Sequence, residues 1–529
     1  MFRRFVLLIS IAAAVRAQDA SRMDQIVQSY VSDKTFMGTV LVARNSEVLF
    51  SRGYGMANLE WAIPNSPSTK FRLGSVTKQF TAASILLLEE RGKLKVEDRV
   101  KKYMPDAPAA WDKITIFHLL THTSGIASFT GFADYKQTEP FETTPEKLVA
   151  RFRDKPLEFA PGEKWNYSNS GYVLLGYLIE KISGQSYTTF VQENIFTPLG
   201  MQDSGYDSNS KIIPHRAAGY SPSKEGPVNA GFIHMSIPFS AGSLYSTTED
   251  LLRWERGLFG GKVLSAASLQ KMTTPFKQDY AFGLGVHTAS GHKVIDHGGG
   301  IEGFNTHLAY YPDDQLTVVV LGNLNGPASD IAGKLGAAAL GQPVQLTSER
   351  KEISLPAAKL ASFVGTYELA PKINLMITLD GNQLMTQLTG QPKLPIFAES
   401  ETMFFLKVVD AQLEFGKDDK GAYVILHQGG RDQKAIKKSD TAAERKEVAV
   451  PREILQKYAG TYELEPGFDM VVTLEGDQLM TQATGQEKVP IFAESETRFF
   501  PKVVDAEIDF FADHLILHQN GMDMTAKRK

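Results

Sequence analysis

The last third of the chain is written twice, and this duplication constrains the fold more than any other feature. Glu349-Arg350-Lys351-Glu352 returns as Glu444-Arg445-Lys446-Glu447, and Gly365-Thr366-Tyr367-Glu368-Leu369 returns as Gly460-Thr461-Tyr462-Glu463-Leu464. Residues 396–402 return as 491–497, so all three segments recur 95 residues on. The spacing shortens to 91 between His427 and His518, because the first copy carries a longer turn at Gly416-Lys417-Asp418-Asp419-Lys420-Gly421. A surface hairpin tolerates an insertion of that kind. Inside each copy, short alternating runs flank Asp380-Gly381-Asn382 or Glu475-Gly476-Asp477, which is a hairpin signal. Residues 354–440 and 449–529 are therefore predicted to be two antiparallel β modules, each a small closed barrel or a sandwich. The charged stretches 347–352 and 441–447 read as linkers.

A chain of 529 residues exceeds one ordinary core, since cores stop growing near about 250–300 residues. The part ahead of the repeats, 18–345, mixes both element types. Residues 38–44 and 47–53 read as a hairpin, and 282–287, 292–296, 305–311 and 316–321 as further strands. Between these groups lie helical patterns, among them 75–91 stopped by Gly92 and 169–182 stopped near Gly184. Strands at both ends enclosing helices predict an α+β domain.

The formal charge of -4 lacks the basic excess of a nucleic-acid binder, so nucleic acid is not an expected partner. There is no cysteine, which excludes disulfides, thiolate metal sites and a cysteine nucleophile. Residues 1–17 carry Arg3-Arg4, an apolar run over 5–15 and Val15-Arg16-Ala17, the pattern of a cleaved secretory signal. That run is too short for the roughly 20 apolar residues of a spanning helix. The expected destination is periplasmic or extracellular, with no stable membrane span.

Three motifs carry chemistry. Ser-x-x-Lys occurs six times, but only Ser75-Val76-Thr77-Lys78 opens a long apolar helical pattern, with Phe80, Ala83, Leu86 and Leu87. The i, i+3 spacing puts hydroxyl and amine on one face. The positive end of a helix dipole favours a serine alkoxide and disfavours a protonated lysine, so Lys78 is pushed toward acting as a base. The plainer alternative is an N-cap serine beside a solvated lysine.

Tyr167-Ser168-Asn169 follows the loop Pro161-Gly162-Glu163-Lys164-Trp165-Asn166. A phenol near Ser75 can relay a proton, and the Asn169 amide can hold Lys78 or a substrate carbonyl, or it can merely cap the helix. His297-Gly298-Gly299-Gly300 follows a predicted strand, where glycines allow close approach of the backbone and offer N–H groups to an oxyanion. His118 and His122 are spaced like a helical metal pair, yet no glutamate follows His118. They read as structural histidines bonded through the Thr123-Ser124-Gly125 turn, and no metal or cofactor is expected.

These segments, with 118–125, 161–171, Pro198-Leu199-Gly200-Met201 and 297–303, resemble the serine β-lactamase-related hydrolases. That group includes class C β-lactamases, D-alanyl-D-alanine carboxypeptidases, D-aminopeptidases and esterases. The resemblance covers roughly residues 25–345 and implies an antiparallel sheet flanked by helices beside a helical subdomain. It implies Ser75 as acylated nucleophile, Lys78 as its activating amine, Tyr167 as proton shuttle and Asn169 as positioning amide. The oxyanion hole would be the N–H groups of Ser75 and Gly300, on the Gly299-Gly300 edge. His297 stands where β-lactamases carry the lysine of Lys-Thr-Gly, as in D-aminopeptidases and some esterases. The β modules resemble the lipocalin-like barrels of related family members.

The expected function is a secreted serine hydrolase that forms an acyl-enzyme on amides or esters, with D-amino-acid peptides as leading substrates. One alternative is a β-lactamase or penicillin-binding carboxypeptidase, so the expected partner is a small peptide, an ester or a β-lactam-like molecule. The other alternative is a non-catalytic protein whose twin β modules bind a ligand or a cell-wall polymer.

Overall fold

The computed structural model describes residues 20–45, 47–370, 373–389, 391–428, 431–440, 447–465, 468–501, 506–519 and 522–529. The expected signal segment at 1–17 lies outside the described residues, as does nearly all of the expected linker at 441–447. The chain divides after Leu346 into two compact units.

The first unit is built on six antiparallel strands: β1 (Gly38–Arg44), β2 (Glu47–Tyr54), β3 (Gly285–Ala289), β4 (His292–Ile301), β5 (Phe304–Tyr311) and β6 (Leu316–Gly322). Their order across the sheet is β3-β4-β5-β6-β1-β2, so the first hairpin joins the sheet beside the last strand. The period-2 alternation of a strand decides which core each residue enters. Val40, Val42, Val318 and Val320 face a cluster with Met23, Ile26 and Val27 from the helix at residues 20–32 (α1). Leu41, Ala43, Val319 and Leu321 enter the larger cluster, with the helices α2 (Thr77–Glu90), α3 (Asn169–Ser183) and α4 (Thr248–Phe259). The helix α5 (Ala328–Ala339) supplies Ile331, Ala332 and Leu335 to the first cluster. The central strands are therefore apolar on both faces because both faces are covered, and the α+β expectation holds.

Helix α2 is buried continuously from Thr77 to Leu88, which marks it as a core helix with little amphipathic character. It starts two residues later than the sequence pattern indicates, because Gly74–Val76 forms a separate 3₁₀ turn. The strand expected at 282–287 is also displaced, to Gly285–Ala289. At Gly283 the chain turns with φ +69, and an added Cβ would lie 2.7 Å from the Lys78 carbonyl oxygen. Packing against α2 thus overrides the local strand pattern.

The second unit holds two closed eight-stranded barrels, one spanning strands from Gly365 to Ser439 and the other from Gly460 to Arg528. The repeat predicts their equivalence. Tyr367, Ile377, Leu384, Ile396, Phe404 and Phe415 fill one core, and Tyr462, Val472, Leu479, Ile491, Phe499 and Phe510 fill the other. The length difference falls in one hairpin: Ala411–Asp418 pairs with Gly421–Gln428 in the first barrel, and the shorter Ala506–Phe510 pairs with His514–Gln519 in the second. Among the described residues no helix is long and apolar enough to cross a membrane.

Glu255 on α4 is 3% exposed, and its Oε2 has no hydrogen-bond partner. Burial raises its pKa to about 8. The folded chain then holds this proton up to about pH 8, whereas an unfolded glutamate releases it near 4.5. Folding takes up one proton between those values, so the stabilisation present below pH 4.5 is lost as pH rises toward 8. The slope is about 1.4 kcal/mol per pH unit. Chemical unfolding across pH 5–8 is expected to show this decline in the wild type, and Glu255→Gln is expected to lack it.

Candidate active site

The nucleophile position is fixed by the turn before α2. Leu73 N–H donates to the Leu244 carbonyl (2.8 Å), and Thr306 Oγ1 on β5 donates to the Leu73 carbonyl (2.7 Å). Gly74 follows with φ +54, and an added Cβ would meet Gly300 N at 2.8 Å. Ser75 is therefore presented against the β4 backbone, one turn ahead of Lys78.

Lys78 is fully buried, and among the described residues no carboxylate neutralises it. Its Nζ lies 3.0 Å from Ser75 Oγ, 2.9 Å from Asn169 Oδ1 and 2.9 Å from the Ala241 carbonyl oxygen. Burial holds the amine well below its usual pKa. A neutral amine has two N–H donors and one lone pair. With two fixed carbonyl acceptors taking the donors, the lone pair is left for the Ser75 hydroxyl proton.

The Ala241 carbonyl owes its position to a turn that starts at Phe239, a non-glycine residue with φ +42. Thr81 Oγ1 donates to the Ser240 carbonyl (2.6 Å), and Ser240 Oγ donates to the Tyr172 carbonyl (2.8 Å). Main-chain atoms of this kind leave no mark in a sequence motif.

Asn169 is free for Lys78 because Ser168, rather than Asn169, caps α3 through the Gly171 N–H. Asn169 Nδ2 donates to Thr130 Oγ1 (3.1 Å), which fixes its oxygen toward the amine. The Tyr167 phenol faces Ser75, and burial raises it above its ordinary pKa. The Tyr167 ring also packs over Lys78, with Nζ 4.8 Å from its centroid. Burial thus pushes Lys78 toward the free base and keeps Tyr167 protonated, the separation that distinguishes a general base from a general acid.

The glycine edge lies where the sequence predicts it, for a partly different reason. A Cβ on Gly299 would sit 2.0 Å from the Leu73 carbonyl oxygen and 2.3 Å from Thr306 Oγ1. This glycine admits the nucleophile turn itself, whereas Gly300 lines the cavity with Ser75.

His297 is 9% exposed and lies outside the cavity lining. Its Nε2 pairs with Tyr280 Oη (3.0 Å) and its Nδ1 with the Gly298 carbonyl (2.6 Å). Burial lowers its pKa to about 4, and Lys78 acts in the same direction whenever it carries a proton. It therefore does not stand as a cation in the substrate space. His122 bonds to Tyr280 and to Ser168 N–H rather than through the 123–125 turn, and His118 accepts from Thr115 N–H in a capping box.

The cavity beside Ser75 measures about 580 Å³. Phe129, Thr130, Tyr135, Lys136 and Glu139 form one wall, and Gly231, Ile233, Pro238, Ala241 and Gly242 form another. Lys136 bridges Glu139 (3.0 Å), three residues on in the same short helical segment, and Glu302 (3.0 Å), a group that sequence reasoning missed because Glu302 comes from a distant turn.

The arrangement gathers a hydroxyl, a neutral amine, a protonated phenol and a glycine edge around Ser75, which lines the cavity with Asn169 and Gly300. Residues 23–342 match the beta-lactamase family. The chain belongs to that family. Residues 349–435 and 444–522 each match a domain of unknown function (DUF3471), so the duplication is a tandem of one domain type. The chain is 30% identical over 433 residues to penicillin-binding protein 4* of Bacillus subtilis, covering 76% of this chain and 95% of that one. It is 28% identical over 320 residues to a D-aminopeptidase of Gluconobacter oxydans, covering 58% and 59%. An octameric penicillin-binding protein homologue from Pyrococcus abyssi superposes with a TM-score of 0.58 at 28% identity, covering 79% of this chain and all of that one. This beta-lactamase family member is a serine hydrolase.

The 2.0 Å approach at Gly299 gives a direct test. Gly299→Ala must displace either β4 or the Leu73 carbonyl, and either shift misaligns the Gly300 N–H with Ser75. Loss of one oxyanion donor costs a factor of about 100–1000 in kcat. A loss of that size is expected in steady-state assays, with circular dichroism unchanged.

Proposed function

We propose that the enzyme is an exported acyl-transfer hydrolase that cleaves amides of D-amino acids or short D-amino-acid peptides bearing a free amine. The observation that carries the reading is the Lys78 amine, buried without a counter-ion and hydrogen-bonded to Ser75 Oγ at 3.0 Å.

In the proposed reaction, Lys78 Nζ takes the Ser75 proton as Oγ bonds to the substrate carbonyl carbon. The carbonyl π pair moves to oxygen, where the N–H groups of Ser75 and Gly300 receive the charge. When the tetrahedral species collapses, the C–N bond breaks and the leaving amine takes the Tyr167 phenol proton. Lys78 returns its proton to the phenol oxygen. Water then attacks the ester, the same groups carry the protons in reverse, and the acid product departs with Ser75 regenerated.

The substrate class follows from the cavity charge. Among the described residues lining the cavity the single cation is Lys136, and it already serves Glu139 and Glu302. A penicillin or a peptide C-terminus would bring a carboxylate to this acidic wall, whereas an α-ammonium would be welcomed. His297 is neutral and committed to Tyr280, so it supplies no cation for a carboxylate. The name of the Gluconobacter relative, D-aminopeptidase, agrees with this preference. The pattern in residues 1–17 supports export.

Mass spectrometry after fluorophosphonate treatment is expected to add one adduct on Ser75, absent in Ser75→Ala. That variant is expected to lose nearly all turnover while keeping its fold. A panel of D-amino-acid amides, short-chain esters and a chromogenic cephalosporin separates the alternatives. The amides are expected to give the highest kcat/KM. Glu302→Gln is expected to raise KM for the amine-bearing amides by about tenfold while leaving the ester KM within about threefold, as expected for a lost ground-state contact. Preferential turnover of the cephalosporin would sink the aminopeptidase reading.

A further inference from the structure

Two buried residues outside the three motifs, His122 and Tyr280, join two of those motifs by hydrogen bonds. Ser168 N–H meets His122 Nδ1 (3.1 Å), His122 Nε2 meets Tyr280 Oη (3.2 Å), Tyr280 Oη meets His297 Nε2 (3.0 Å), and His297 Nδ1 meets the Gly298 carbonyl oxygen (2.6 Å). One end of this chain is a backbone N–H, which only donates, and the other is a backbone carbonyl, which only accepts. The direction of every bond between them is therefore determined.

His122 must accept at Nδ1 and carry its proton on Nε2. Tyr280 accepts from His122 and donates to His297 Nε2. His297 then carries its proton on Nδ1 and donates to Gly298. Tyr172 also lies against Tyr280, but its own hydroxyl donates to the Leu120 carbonyl (2.8 Å). If Tyr280 donated to Tyr172 instead, two lone pairs would face each other at His297 Nε2.

We infer that Tyr280, with His122, is a positioning residue: a proton-ordered chain that holds the Tyr167 loop in register with the oxyanion strand and works only while both histidines are neutral. The inference rests on the acyl-transfer reading of the site. The chain begins at the residue after Tyr167 and ends at the carbonyl before Gly299, so it spans the distance that catalysis needs fixed. The rings reinforce it. His122 lies 4.3 Å from the Tyr167 ring and 4.7 Å from the Tyr280 ring, and Trp165 packs 5.9 Å from Tyr280.

An added proton has no place in this chain. On His122 Nδ1 it would oppose the Ser168 N–H, and on His297 Nε2 it would reverse the His297–Tyr280 bond and turn the Tyr280 proton onto Tyr172. The groups facing the chain act in the same direction on balance. Burial and the nearby Lys78 lower both histidines, and His307 also lowers His297, against an opposing pull from Asp296. Tyr167 and Tyr172 complete the surroundings as neutral phenols, each raised by burial.

Histidine tautomers are read directly by two-bond ¹⁵N–¹H correlation on ¹⁵N-histidine-labelled protein at pH 7, with assignments from His122→Gln and His297→Gln. The expected spectrum shows His122 as the Nε2–H tautomer and His297 as the Nδ1–H tautomer, both neutral. Tyr280→Phe keeps the ring and deletes the hydroxyl. Its kcat on the best amide is expected to fall about 10- to 100-fold with KM within about threefold, the split expected when alignment rather than binding is lost. An imidazolium or the opposite tautomer at either position overturns the proposal, as does a folded Tyr280→Phe with wild-type kcat. If Tyr280→Phe fails to fold, the wild-type tautomers decide alone. Failure of wild-type Ser75 to acylate would overturn the reaction and leave the tautomer result readable.

Discussion

A primary amine without a counter-ion, sealed between two carbonyl oxygens and a serine hydroxyl, is the constraint on which the rest of the catalytic unit depends. Taking an ammonium out of water with no partner is costly enough that such groups give up the proton instead. Lys78 therefore needs scaffolding that removes water and supplies two acceptors, and each support comes from a different part of the chain. Asn169 arrives on α3, with its capping duty taken by Ser168. Ala241 arrives on a turn held in a strained conformation by Thr81 and Tyr172. The continuous burial of α2 from Thr77 to Leu88 follows from the same need: a helix that carries a neutral amine cannot lie on the surface.

The sheet and α2 meet through backbone rather than side chains. Gly74, Gly283 and Gly299 each stand where a Cβ would lie under 3 Å from main chain of the other element. Of these three, only Gly299 belongs to a motif that the sequence singled out, and there the expected role was approach to a ligand. The contact is with the nucleophile turn. Glycine spacing signals that something comes close, while what comes close depends on tertiary pairing between segments more than 200 residues apart.

Much of the architecture was legible because it follows from periodicity. The alternation in 38–44 and 316–321 places residues on two faces, and an internal repeat compels two like folds. Ser75 and Lys78 were legible because an i, i+3 pair shares a helix face. The misses share a physical cause. The Ala241 carbonyl has no side-chain signature, His122 and Tyr280 are single residues outside any repeat or motif, and Glu139 and Glu302 meet only because Lys136 bridges them. The resemblance sets His297 where β-lactamases carry the lysine of Lys-Thr-Gly. Its ring faces Tyr280 instead, because both of its nitrogens are already engaged.

The charge arrangement makes the base and the wall interdependent. The reactive interior is neutral: amine, phenol and two imidazoles, each held uncharged by burial. The acidic wall sits across the cavity with one ammonium for two carboxylates. Excess negative charge in an empty cavity would favour a protonated Lys78. A bound ammonium would cancel the excess; two unit charges roughly 8 Å apart at an effective dielectric near 20 interact by about 2 kcal/mol. A substrate amine would thus help hold Lys78 as free base at the moment Ser75 must lose its proton, whereas a substrate carboxylate would oppose it. On this argument the wall discriminates through the protonation state of the base as well as through binding, so discrimination between amine and carboxylate would reach kcat as well as KM.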